Sequence, residues 1–125
     1  MDANIDDRSR PSSGHMKAPL ALLLHGLAGV VLTLLSTFVG ERAAVATYPD
    51  IMGCETGCSV VAAGWPLAFV NDYLGMSVVN TANIMEVLFA GDRFTWLPFL
   101  LNVAVWSLAS LAAHSGVRQW RSAKT

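Results

Sequence analysis

Cys54 and Cys58 are the only cysteines in the chain, spaced C-x-x-x-C with Gly53 and Gly57 beside them, so the backbone between them is free to turn. Such a pair can close a local disulfide, exchange disulfides with a partner, or link two subunits. Working exchange needs a thiolate, which a positive neighbour or a helix N-terminus stabilises. The sequence neighbours here are Asp50 and Glu55, which favour the neutral thiol, and no second cysteine pair exists to pass electrons onward. A structural staple is therefore expected, contributing about 2 kcal/mol for so short a loop.

His25 is the second candidate. It lies in an apolar run, about 10 Å from one end by helix rise, where an ionisable side chain is costly and so suspect as functional. A neutral His25 bonded to Ser107 or Ser110 of a facing helix is the first expectation, and axial ligation of a haem or pigment the alternative. His114 is expected at the membrane boundary, about a third of the membrane away from it. Asp72, Glu86 and Asp92 read as solubilising acids of a wet loop. The chain has no phosphate-binding glycine loop of the G-x-x-x-x-G-K-[ST] type, no H-E-x-x-H, no Cys/His zinc cluster and no nucleophile elbow.

The elements that must position these residues follow from composition. Of 125 residues 54% are hydrophobic and 14% charged, against about 25% charged in ordinary soluble domains. A net charge of −1 without a basic patch excludes nucleic-acid binding as a main role. Residues 18–39 carry no Asp, Glu, Lys or Arg and are long enough, as a helix, to cross a hydrocarbon core of about 30 Å. Residues 95–113 form a second such run, opened by Phe94 and Trp96, with Pro98 in the first turn, where a missing amide proton costs little. The reading is an all-α membrane protein: a disordered cytoplasmic tail 1–17, a transmembrane helix 18–39, an extracytoplasmic loop 40–94, a second transmembrane helix 95–113 and a cytoplasmic tail 114–125. Arg8, Arg10, Lys17, Arg118, Arg121 and Lys124 flank the helix pair, and only Arg42 and Arg93 lie between, so both termini are expected in the cytoplasm.

On the first helix Gly26, Gly29, Thr33, Ser36 and Gly40 recur at helical spacing and predict a close-packed stripe, with Asn102 of the second helix level with Thr33 and bonded to it. In the outer loop, Ser59 to Val70 is apolar but too short to span and is expected as an interfacial or re-entrant segment. Trp65, Pro66 and Phe69 would seat it in the interface, as Phe94 and Trp96 seat the second helix. Asn83 and Glu86 form a capping box and Gly91 a stop, predicting a short interfacial helix over Ile84 to Ala90. Ala44-Val45-Ala46 fits a signal-peptidase site, but the preceding apolar run exceeds the roughly 7–15 residues of a signal peptide, so the first helix is expected to stay attached.

The stretch GCSVVAAGWPLAFVNDY, ending at Tyr73, followed by GDRFTWLPFLLNVAVW from Gly91 to Trp106, resembles small two-pass inner-membrane proteins of bacteria. These share a Cys-containing loop, a Gly-Trp-Pro turn followed by an aromatic, and a Phe-x-Trp entry into the last helix. The resemblance implies a bacterial integral membrane protein without a defined biochemical activity. The expectation is a non-catalytic accessory or assembly subunit, needing no cofactor, held in the lipid bilayer with a second copy or another membrane protein. The alternative is a redox or haem- or pigment-binding subunit using Cys54 and Cys58 or His25.

Overall fold

The computed structural model describes residues 18–76 and 80–124. The tail expected at 1–17 lies outside the described residues. Helix α1, Ala18–Leu35, continues through a 3₁₀ turn, Ser36–Phe38, and helix α3 runs Trp96–Ser122. Both are long and apolar enough to cross a membrane, at 21 residues for Ala18–Phe38 and 27 for α3. They pack on each other at Gly29, where a Cβ would come 2.8 Å from the Val103 carbonyl oxygen and 3.0 Å from the Ser107 nitrogen. Glycine is thus what permits the approach.

α3 does not stop near Ala113. It continues to Ser122, and the Ala123 amide donates to Gln119 O at 3.1 Å to close the last turn. Apolarity marks where a bilayer ends, whereas the helix ends only where the backbone is broken or capped. Much of residues 114–125, expected as a tail, is therefore helix.

The larger correction is that the chain is not all-α. Between the long helices lies a four-stranded antiparallel sheet in the order β1 (Arg42–Ala46), β2 (Cys58–Ala63), β3 (Val70–Asn71), β4 (Arg93–Phe94). β1 and β2 form a hairpin with Ala44 opposite Val60 and Ala46 opposite Cys58. The segment Ser59 to Val70, expected at the membrane interface, supplies most of β2 and the entry to β3, and Ala62, Ala63, Phe69 and Val70 are each 0% exposed. A short apolar run is equally consistent with lipid contact and with a buried strand, and periodicity alone does not separate them. Here the β-branched Val60 and Val61 and the antiparallel partner at β1 decide for the strand.

Two small cores result. Ala63, Phe69, Val70 and Ala82 form one, with Val87, Phe94 and Phe99 packed against it. Its aromatic rings meet edge to face, Phe69 lying 5.6 Å from Phe94 and 5.4 Å from Phe99 between centroids, so the sheet and the start of α3 share one hydrophobic cluster. Tyr48, Cys54 and Val60 form the other, beneath the β1–β2 connection. Helix α2, Ile84–Phe89, is capped as the sequence indicates: Asn83 accepts from the Met85 and Glu86 amides, and Gly91 turns the chain at φ +81°. Of the apolar face expected to lie on the membrane, Val87 instead packs on the first core, while Leu88 is exposed.

Because β1 is paired along its length with β2, cleavage after Ala46 would strip a strand from the sheet. The membrane-extracted protein is expected to have an intact mass that includes Ala18 to Ala46; a mature chain beginning at Thr47 would refute retention of α1.

Candidate functional site

The residues singled out by sequence fall into three places. The first is the sheet-side end of the helix pair, where the Gly64-Trp65-Pro66 turn is held. Gly64 has φ +113°, and a Cβ there would lie 2.5 Å from the Phe69 ring, so only glycine fits. The Trp65–Pro66 peptide is cis. Asn102, 0% exposed, accepts from the Leu67 amide at 3.0 Å and donates to the Leu67 carbonyl at 2.6 Å. The Trp65 amide donates to Ser36 Oγ at 3.0 Å, and Trp106 Nε1 donates to the Trp65 carbonyl at 3.1 Å. Arg42 donates to the Gly64 and Pro66 carbonyls at 2.6 and 3.0 Å. Irregular backbone has no helix or strand ladder to satisfy it, and these side chains supply the partners instead.

This arrangement differs from the expected Asn102 to Thr33 bond. The Asn102 carboxamide offers both a donor and an acceptor, and the amide and carbonyl of one residue, Leu67, engage both at once. Thr33 Oγ1 is left buried without a hydrogen-bond partner among the described residues. Within the expected stripe, Gly29, Thr33 and Ser36 are buried. Gly26 has open space where a Cβ would sit, and Gly40 lies exposed beyond the 3₁₀ turn. Phe69, expected to seat in the interface, is wholly buried in the sheet core, whereas Trp65 and Trp96 remain more than half exposed. Pro66 is half-buried, and Phe94 bridges Trp96 and Phe69, with centroids 4.9 and 5.6 Å away.

The second place is the connection from β1 to β2. Cys54 and Cys58 form a disulfide with Cα atoms 5.0 Å apart, and Cys54 is buried. Gly53 and Gly57, at φ +87° and +119°, make the turn possible, and Tyr48 N–H donates to the Cys54 carbonyl at 3.0 Å. Sequence proximity did not reveal that Arg93 reaches this turn. Its guanidinium lies 5.1 Å from the Tyr48 ring and 5.4 Å from the Tyr73 ring, and pairs with Asp50 at 3.3 Å. A hydrogen bond from the Tyr73 hydroxyl holds the Asp50 carboxyl below its usual range, and the same bond raises Tyr73. Burial raises Tyr48, whose hydroxyl donates to the Asp72 carbonyl at 2.7 Å.

The third place is the half of the helix pair far from the sheet. His25 Nδ1 and Ser110 Oγ are 2.9 Å apart. The His114 ring is in contact with His25, centroids 5.4 Å apart and edge to face, rather than a third of a membrane away. Side chains on a helix lean toward its N-terminus. In two antiparallel helices His25 therefore leans inward and His114 outward, and the two close a separation that backbone counting leaves open. Rings in direct contact leave no gap for a porphyrin plane between them.

The loop acids also depart from expectation. Asp72 and Asp92 are 1% and 5% exposed, not solvated. Asp92 is pushed up to about 6 by burial first, with the neighbouring Glu86 and Asp72 carboxyls adding to it and the Tyr73 amide opposing. Nothing in their spacing signals this, because their burial comes from the long-range pairing of β3 with β4. No protein-family model, curated protein or solved structure matches the chain.

An Asn102→Leu variant leaves the Leu67 amide and carbonyl without their partner, and unfolding in detergent is expected to be easier by about 1–3 kcal/mol for each group. Thr33→Val, which removes a hydroxyl that has no partner, is expected to be neutral or slightly stabilising in the same assay. Separately, Cys54→Ser with Cys58→Ser is expected to insert normally while losing about 2 kcal/mol of local stability, seen as faster proteolysis between Thr47 and Gly57.

Proposed function

We propose that this is an integral protein of the bacterial inner membrane, with both chain ends cytoplasmic and the sheet outside, acting without catalysis as an accessory or assembly subunit. One observation carries the reading: the helix pair spends its buried surface on a narrow line of contact. In α1 only Gly29 and Thr33 are buried, and in α3 only Asn102, while Leu22, Leu23, Leu27, Leu97, Leu100 and Leu108 each remain more than half exposed. Such faces suit lipid and a neighbouring membrane helix. A groove of about 340 Å³ between Leu32, Leu35, Val39, Trp65 and Trp106 opens on the same apolar surface. The disulfide turn and the lock at Asn102 then serve to hold the outer sheet in a fixed relation to the helices. Two basic residues lie in the segment assigned to the outside, and both are committed within the sheet domain: Arg42 to loop carbonyls and Arg93 to Asp50. Placing the other six on the cytoplasmic side follows the distribution of positive charge.

A second reading is favoured by the contact between His25 and His114, which puts two imidazoles together at the inner end of the pair. A cofactor- or cation-binding membrane subunit would use them. Purification in mild detergent separates the readings. A colourless, stoichiometric membrane-protein partner, or a homo-oligomer, is expected; a visible chromophore lost in His25→Ala would favour the second. An alkaline phosphatase reporter should be active when inserted after Thr47 and inactive after Thr125, and the reverse pair would overturn the orientation.

A further inference from the structure

The groove walled by Leu32, Leu35, Val39, Trp65 and Trp106 encloses about 340 Å³, within the range of small-molecule sites, roughly 300–1,000 Å³. The polar groups that reach it from the helices are already engaged. Ser36 Oγ donates to the Thr33 carbonyl at 2.6 Å and accepts from the Trp65 amide at 3.0 Å, and Trp106 Nε1 donates to the Trp65 carbonyl at 3.1 Å. Its walls therefore suit hydrocarbon. Leu35, Val39 and Trp65 are each more than half exposed, so the described residues leave the groove uncovered.

Beside the groove stands a cation without an acid. Arg42 Nη2 donates to the Gly64 carbonyl at 2.6 Å and the Pro66 carbonyl at 3.0 Å, so the guanidinium grips the residues on either side of Trp65. Val39, at the other edge, is three residues before it in the chain. Carbonyls take its hydrogens but do not neutralise its charge. Among the described residues Arg42 forms no ion pair: Asp50 is held by Arg93, and the adjacent Glu41 accepts from the Ala82 amide at 3.2 Å. A guanidinium carries five N–H donors, and the Nη1 and Nε hydrogens of Arg42 are left for an anion.

We propose that the groove and Arg42 together bind one anionic phospholipid, with an acyl chain against Leu32, Leu35, Trp65 and Trp106 and the phosphate on the guanidinium. Guanidinium and phosphate pair through charge-assisted hydrogen bonds, and the two carbonyls hold the Arg42 head in place before the lipid arrives. A neighbouring apolar helix would cover the walls and leave the charge unmet. An anionic amphiphile meets both. The proposal rests on the helix pair crossing a bilayer, so that its sheet-side end lies at headgroup depth, and holds for either orientation of the chain.

The test is tryptophan quenching in phosphatidylcholine vesicles that carry a small fraction of brominated phosphatidylglycerol or, in parallel, brominated phosphatidylcholine. Trp96→Phe with Trp120→Phe in the full chain leaves Trp65 and Trp106 as the fluorophores. At equal mole fraction and low salt the brominated phosphatidylglycerol is expected to quench about fivefold more effectively, for one basic side chain at the surface. Added salt should shrink that preference. Arg42→Gln keeps a donor for the carbonyls and drops the charge, and should bring the two lipids to parity, whereas Arg42→Lys should retain a preference. Equal quenching by both lipids with Arg42 in place, or a preference that survives Arg42→Gln, would overturn the lipid site and leave the membrane span standing. Trp65 and Trp106 shielded from both lipids, while the unaltered chain is quenched, would put protein in the groove and also overturn it. An unaltered chain quenched by neither lipid would remove the span itself, and the site with it.

Discussion

The pairing of the Asn102 carboxamide with both backbone polar groups of Leu67 is the contact on which the rest of the structure depends. Asn102 lies in an apolar helix and is fully buried, so it has to find partners inside the protein. Leu67 belongs to an irregular turn, so its amide and carbonyl have no strand or helix to join. Each cures the other's deficit. Once Leu67 is fixed, Trp65 falls between Ser36 of the 3₁₀ turn and Trp106 of α3, and Phe69 is delivered beneath β2 and against Phe99. The sheet is thus anchored to the helix pair through this turn, which Asn102, Ser36, Trp106 and Arg42 hold between them.

Hydrogen bonding and hydrophobic packing divide the work between the two parts of the molecule. In the outer sheet, Phe69, Val70, Ala62 and Ala63 are removed from water and the hydrophobic effect applies in full. Between α1 and α3 little apolar surface is removed: only Gly29 and Thr33 of α1 and Asn102 of α3 are buried. Close approach at Gly29 and polar contacts from His25 to Ser110 take its place. The unpartnered Thr33 hydroxyl lies buried in this same line of contact.

What the sequence made legible is local. Charge-free runs located both long helices, the Asn83 and Glu86 spacing located α2, and the two cysteines with their glycines announced a closed turn. Features that depend on pairing distant segments were hidden. β2 reads as an apolar run of ambiguous type until β1 is laid beside it, and β3 and β4 are only two residues each, too short for any alternation to register. Burial of Asp72 and Asp92 is a product of those same short pairings. The contact of His25 with His114 was missed for a different reason: counting residues along helix axes ignores the lean of side chains, which here acts in opposite directions on the two helices.

The polar groups of the helical part then form a single line. His25 and Ser110, Ser107 beside Gly29, Thr33, Ser36, Asn102 and Trp106 all lie where α1 meets α3 or where the Gly64–Leu67 turn meets both. Leucines occupy the outward faces. Such a division specifies one rotational setting of the two helices, since turning either would part the buried polar groups from their partners at a cost of several kcal/mol. It also separates the ends by character. One end is closed by a turn whose backbone is satisfied by side chains of the helical part and of β1, while the other closes on the contact of His25 with His114. The sheet-side end and the histidine end, joined by one line of contact, leave the leucine faces of both helices uncovered by the rest of the chain.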